Sequence, residues 1–171
     1  MSDATNIKIG ACSVVLGTTN LGHTKGGVEV TYSPEYADIT ADQFGNTVID
    51  KALVGEAMTV KVPLTESQVA NLAVAMPLGE LDGATDARLT VGKDAGARLG
   101  AEAAKLVLHP LVNAANDLSD DIVLHKAVVH GEVVLPFMVD EQRVIEVEFI
   151  ALIDTTKSTG NYLGHMGDST D

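Results

Sequence analysis

The chain has 171 residues, 46% of them hydrophobic, with 24 acidic against 11 basic side chains and a formal net charge of −13. A chain of this length suits one domain, which buries roughly 70% of its unfolded surface and folds without staples. The acidity excludes tight phosphate binding by the monomer and a duplex-wrapping basic stripe, and the single Cys12 excludes an intrachain disulfide framework or a Cys-based zinc site.

Tryptophan is absent and aromatics make up 4% of the chain, which argues against sugar stacking and base-stacking platforms. No apolar run reaches the roughly 18 residues a membrane span needs. Met1 to Lys8 is polar and lacks a signal-peptide core. A cytosolic site of synthesis is expected.

Lys8 to Leu16, rich in Ile and Val, reads as a first strand that ends in the turn-like Gly17-Thr18-Thr19-Asn20. Gly22 to Gly27 is a glycine-rich connection. Val28, Val30 and Tyr32 then alternate with Glu29, Thr31 and Ser33, the period of a half-buried strand. Beyond Pro34, Ala37, Ile39 and Ala41 alternate with Tyr36, Asp38, Thr40 and Asp42. Phe44-Gly45-Asn46 marks a turn. Thr47 to Asp50 reads as a short strand and Gly55 to Leu64 as a longer one, with Met58, Val60, Val62 and Leu64 on one face.

Thr65-Glu66-Ser67-Gln68 matches a capping box. Val69, Leu72, Ala73 and Met76 follow at helical spacing, which predicts one helix with a single apolar stripe ended by Pro77. The Gly-, Ala- and Asp-rich stretch 78–100 is expected to hold a short strand at Arg88 to Val91 and a surface loop. Further strands are expected at Ala104 to Val112, broken by Pro110, and at Asp121 to His130, Glu132 to Val139 and Arg143 to Asp154. Asp140-Glu141-Gln142 would turn between the last two. Residues 1–7 and 155–171 read as flexible arms. The fold class is mainly β: one domain, a β-sandwich flanked by one α-helix.

No constellation of reactive residues points to catalysis. Gly17 to Thr24 resembles a phosphate-binding loop, but His23 stands where the motif needs Lys, and a strand pattern rather than a helix follows. Gly92, Gly96 and Gly100 do not have dinucleotide spacing. Of the five histidines (His23, His109, His125, His130 and His165) only His130 sits close to an acidic residue, Glu132, on a possible shared face, and a strand histidine beside a turn is far more often polar surface than a metal ligand. No Ser sits in a nucleophile elbow. Cys12 lies in an apolar strand, where a thiol behaves as a small hydrophobe. The expectation is a non-enzymatic protein without cofactor or metal.

Gly26-Gly27-Val28-Glu29-Val30, Asp42-Gln43-Phe44-Gly45-Asn46-Thr47, Val54-Gly55-Glu56 and Val60-Lys61-Val62-Pro63-Leu64-Thr65-Glu66 resemble parts of bacteriophage tail tube (major tail) proteins. Asp121-Ile122-Val123, Leu135-Pro136-Phe137 and Asp140-Glu141-Gln142-Arg143-Val144 extend the likeness in order and spacing. It covers most of the chain and is weakest at 78–100. The resemblance implies a structural virion protein whose sheets join those of its neighbours into a ring, usually of six, around a lumen. The rings stack into a tube that conducts DNA on ejection. It implies self-association and contact with other tail proteins, DNA that passes without specific binding, no membrane, and a place in the virion tail after synthesis in the host bacterial cytoplasm.

Within that frame Glu29, Asp38, Asp42, Glu146 and Glu148, all opposite an apolar face, are candidates for the lumen. An acidic or neutral wall lets DNA slide where a basic wall would hold it. Phe44, Gly45, Asn46, Asp50, Lys51 and Glu56 are candidates for a projecting inter-subunit loop. The competing expectations are a head-decorating sandwich or tail terminator, a tube subunit of a bacterial injection machine, and a monomeric ligand-binding sandwich.

Overall fold

A computed structural model describes residues 7–82 and 88–168. Ten strands and one helix follow in order: β1 (Cys12–Leu16), β2 (Thr19–Asn20), β3 (Glu29–Ile39), β4 (Asp50–Leu64), α1 (Val69–Ala75), β5 (Glu80–Asp82), β6 (Arg88–Thr90), β7 (Ala104–Pro110), β8 (Ile122–Val129), β9 (Ile145–Ala151) and β10 (Gly164–Met166). Eight strands form one antiparallel sheet in the order β2-β1-β7-β8-β9-β4-β3, with β10 added on β8; β5 and β6 form a separate two-stranded ribbon. Among the described residues the protein is mainly β with one α-helix, and its antiparallel sheet is sandwich-like, side chains of β1, β4, β7, β8 and β9 meeting in one core cluster. A bridge between Thr24 and Leu64 brings the chain after β2 back to the end of β4.

Period-two alternation builds the core. Met58, Val60, Val62 and Leu64 of β4 and Ile145, Val147 and Phe149 of β9 are buried as the alternation predicts, and they meet Val14, Leu106, Leu108, Leu124, Ala127 and Val129. Fully burying each large side chain contributes about 1.5–3 kcal/mol, so this single cluster supplies most of the driving force. The register of β7 against β8 shifts between Ala104 and Leu106, which face Ala127 and Leu124. The extra residue in β8 is a bulge. It lets Leu124 and Ala127 join the same core, and it hands the free side of β8 from β10 at Ile122–Leu124 to β9 at Ala127–Val129.

Several expectations are corrected. The helix starts at Val69 with Gln68 as its N-cap and no side-chain cap. Thr65 Oγ1 instead donates to His23 O, and Glu66 Oε1 accepts from His23 N, so these two capping-box residues hold the 21–24 connection. The buried face of α1 carries Asn71 and Ala75, with Leu72 and Val74 packed on the core. Asn71 is tolerated there because its Nδ2 donates to Leu21 O and Glu66 O.

Glu132 to Val139 is not a strand: the chain is irregular there, and Val134, Phe137, Met138 and Val139 are exposed. Thr47 to Ile49 is not a strand either, and β4 begins at Asp50. The tail from 155 is no free arm through 168, because β10 pairs with β8. The flexible segments expected at 1–6 and 169–171 lie outside the described residues. Gly17-Thr18 is the two-residue link between β1 and β2, with Gly17 at φ +60° as a tight hairpin link favours, not a phosphate loop. Among the described residues no helix is long and apolar enough to cross a membrane.

Candidate functional site

Strands β3 and β4 form a hairpin that runs on past Thr59, where the pairing of β4 with β9 ends. Its base, Glu29↔Lys61 to Tyr32↔Met58, lies on the core; its outer half runs from Ser33↔Ala57 to Ile39↔Asp50. The nine steps from Glu29 to Asp38 span about 30 Å of extended chain. The two alternating runs on either side of Pro34 belong to one strand, for β3 passes through it. Because β3 is the edge of the sheet, the missing N–H of Pro34 disrupts no inner ladder.

The outer half carries large apolar side chains that none of the described residues covers. Tyr36 is 54% exposed, Leu53 53%, Val54 66% and Phe44 65%, and Ile39 and Ile49 are exposed as well. Tyr36 and Leu53 are direct cross-strand partners. The register skips Val54, a bulge that bends the arm and points that side chain outward. A 3-10 turn at Asp42–Phe44 and Gly45 makes the tip, closed by Ile49 N donating to Ile39 O.

Polar contacts stiffen the arm. Lys51 Nζ donates to Asp38 Oδ1 at 2.5 Å, and Asp50 Oδ1 accepts from Lys51 N. The Tyr32 hydroxyl donates to Glu56 Oε1 at 2.6 Å, which pushes the phenol up from its ordinary range. Of the expected loop residues, then, Phe44, Gly45 and Asn46 lie at the tip, while Asp50, Lys51 and Glu56 are rungs of β4.

The expected acidic wall divides. Glu29 and Glu148 flank Lys61 on three neighbouring strands, and Glu146 stands opposite Pro63 on the same outer face. With His130 and Glu132 they line a shallow groove of about 690 Å³. Asp38 is an odd number of residues from Glu29, so it faces the other side of β3, and Asp42 sits at the tip. The five do not form one surface. Lys25 and Lys61 also line the groove and moderate its charge.

Sequence reasoning missed two other features. In the irregular 132–139 segment, Arg143 Nε donates to Pro136 O, and its guanidinium lies 3.9 Å from the centre of the Phe137 ring. That contact holds an exposed aromatic in place. On the outer face of β7 and β8, His109 Nδ1 meets Asp121 Oδ1 at 2.6 Å, with side chains 16% and 6% exposed, and His125 faces His165 across 5.3 Å. Twelve residues separate His109 from Asp121, so no local pattern announces the pair. Burial pushes the Cys12 thiol up. Among the described residues no group of three His, Cys, Asp or Glu side chains is placed to hold a metal ion.

Among the described residues the surface offers a strand edge along β3 with no partner on its outer side, a projecting apolar arm and a groove of mixed charge. No model of a known protein family matches the chain, and no curated protein matches it.

Proposed function

We propose that the chain is a non-enzymatic structural subunit of a phage tail tube. In this reading it self-assembles through its sheet edges into rings, six copies being the expected number, and the rings stack into a conduit for DNA. The observation that carries the reading is the β3–β4 arm: an edge-strand hairpin whose outer half presents Tyr36, Ile39, Phe44, Ile49, Leu53 and Val54 to solvent. An isolated monomer gains nothing from such an arm and risks aggregation by it. A neighbour that covers it gains apolar burial, and a head-to-tail contact repeated without closure makes a filament.

The outer face of Glu29, Glu146 and Glu148 supports a lumen that does not grip DNA. Six copies at −13 each carry a formal −78 per ring, although only charges within roughly 8 Å of the passing helix act on it at physiological salt. Other tail proteins would cap the tube ends, and the assembled protein would reside in the virion tail. Light scattering over a concentration series tests the reading. The intact chain should grow into large particles, and a variant with 42–49 replaced by a two-residue turn should stay small with an unchanged melting profile. An intact chain that remains monomeric at high concentration overturns it.

A further inference from the structure

The sheet ends in two edges that run in opposite directions. From β1 through β7, β8, β9 and β4 to β3 every neighbour is antiparallel, so β1 and β3, an odd number of steps apart, point opposite ways. A second copy turned about an axis along the strands and set beside the first therefore offers its β1 antiparallel to the first copy's β3. The alternation of the sheet then continues across the boundary.

Among the described residues both edges are open over matching stretches. β3 has no partner on its outer side. β2 pairs only with Val15 and Leu16, and Leu21 N donates to Val14 O, so the outer side of β1 is covered from Val14 onward and bare before it. Single bonds fix the backbone directions. Ala11 O accepts from Leu111 N, on the β7 side, so the alternation turns the backbone groups of Cys12, Gly10 and Lys8 outward. At the other edge Ile39 O accepts from Ile49 N, on the β4 side, so those of Asp38, Tyr36 and Pro34 turn outward. The missing N–H of Pro34 thus falls on the open side. The side-chain faces agree. Cys12 and Val14 pack on the core, as does Val30 of β3, so the odd-numbered residues of both edges share the outer face.

We propose that copies of the chain join through these edges, Lys8 to Cys12 of one copy pairing with Pro34 to Asp38 of the next in the register Lys8↔Asp38, Gly10↔Tyr36, Cys12↔Pro34. The pairing rests on the reading of the chain as a self-assembling subunit and assigns that assembly its edges. Lys8 with Asp38 and Gly10 with Tyr36 exchange both backbone bonds, and Cys12 N donates to Pro34 O. A slip of one residue sets outward groups against inward ones and one face against the other, so only slips of two compete. The register named places Lys8 opposite Asp38 and sets the exposed Ile7 and Ile9 against Ile39 and Ala37. Lys8 already pairs with Asp120 and Asp38 with Lys51, so the contact links two existing ion pairs. Each copy carries one edge of each kind. The contact therefore repeats head to tail, whereas two β3 edges paired with each other would stop at a dimer.

Hydrogen exchange of the native full chain, dilute and in assembled particles, tests the pairing. The outward amides of Lys8, Gly10, Cys12, Tyr36 and Asp38 should gain about tenfold or more in protection on assembly. Ile9→Cys with Ala37→Cys, in a Cys12→Ala background, identifies the partner edge. These two positions face each other as a non-hydrogen-bonded pair, whose spacing suits a disulfide. Mild oxidation of the particles should give a ladder of covalent multimers, and neither single-cysteine variant should link. Particles whose outward amides exchange as fast as in the monomer, or whose paired cysteines do not link, overturn the edge pairing while the assembly reading stands. Covalent dimers from Ala37→Cys alone overturn it in favour of a dimer through β3. A native chain that never assembles overturns both. Where the paired variant fails to assemble, exchange in the native chain decides.

Discussion

Replacing Tyr36 and Leu53 together with Thr separates what the β3–β4 arm does for the monomer from what it does for assembly. The two are cross-strand partners, 54% and 53% exposed, outside the core cluster. Thr keeps strand propensity, and the lost cross-strand contact is worth about 0.2–1 kcal/mol. For a chain of this size that lowers the melting temperature by roughly 2–4 °C at most. In the assembly the same side chains meet a neighbour. Full burial of such a residue is worth about 1.5–3 kcal/mol, so covering the exposed half of each contributes roughly 1 kcal/mol, about 2 kcal/mol for the pair. That raises the concentration needed for assembly about 30-fold. Sedimentation velocity over a dilution series, beside a thermal melt, reads both quantities. A variant that assembles at the native concentration would remove the arm from the interface. One that melts ten or more degrees lower would place the pair in the monomer's own core and refute the reasoning.

Phe149, fully buried between β4 and β8 strands, should cost about 3–5 kcal/mol on replacement by Ala, read as a lower midpoint in urea with an unchanged slope. Glu146→Lys with Glu148→Lys should fold normally, since both lie on the outer face. Assembled tubes should then retain DNA at low salt and release it as salt rises; equal passage at all salt concentrations would place these residues outside the bore. Glu66 accepts from the His23 ring and backbone, which holds its carboxyl below the usual range. A depressed folded pKa contributes stability above the unfolded value, near pH 4.3, and loses it as pH falls through the folded value. Native protein and Glu66→Gln should therefore differ in melting temperature at neutral pH and converge in strong acid; a gap that persists there would contradict the bond.

The strands that carry the core were legible because alternation is a local signal. Val60 with Lys61, and Val147 with Glu148, announce their faces without any knowledge of partners. The alternation on either side of Pro34 was legible too, but that the two runs form one continuous strand was not, because a proline is tolerated within a strand only at an edge, a property of the sheet. Apolar content alone suggested a strand at Glu132 to Val139, but that segment pairs with no strand of the sheet, and Arg143 contacts it instead. The helix stripe was displaced toward Asn71 because two backbone carbonyls from elsewhere in the sequence satisfy that amide. The sequence Gly164-His165-Met166 has no strand pattern at all; the strand exists because β8 offers an edge and Gly164 fits against it. Of the candidate site, the arm's tip and the Glu146–Glu148 face could be read locally. The shared groove with Glu29 and the separation of Asp38 needed the register.

Electron microscopy of the concentrated, purified full-length chain tests the central claim most directly. The account predicts hollow tubes of stacked rings, with a bore wide enough for a DNA duplex and six copies in end-on averages. Dispersed monomers, or closed rings that never stack at any concentration, would contradict it.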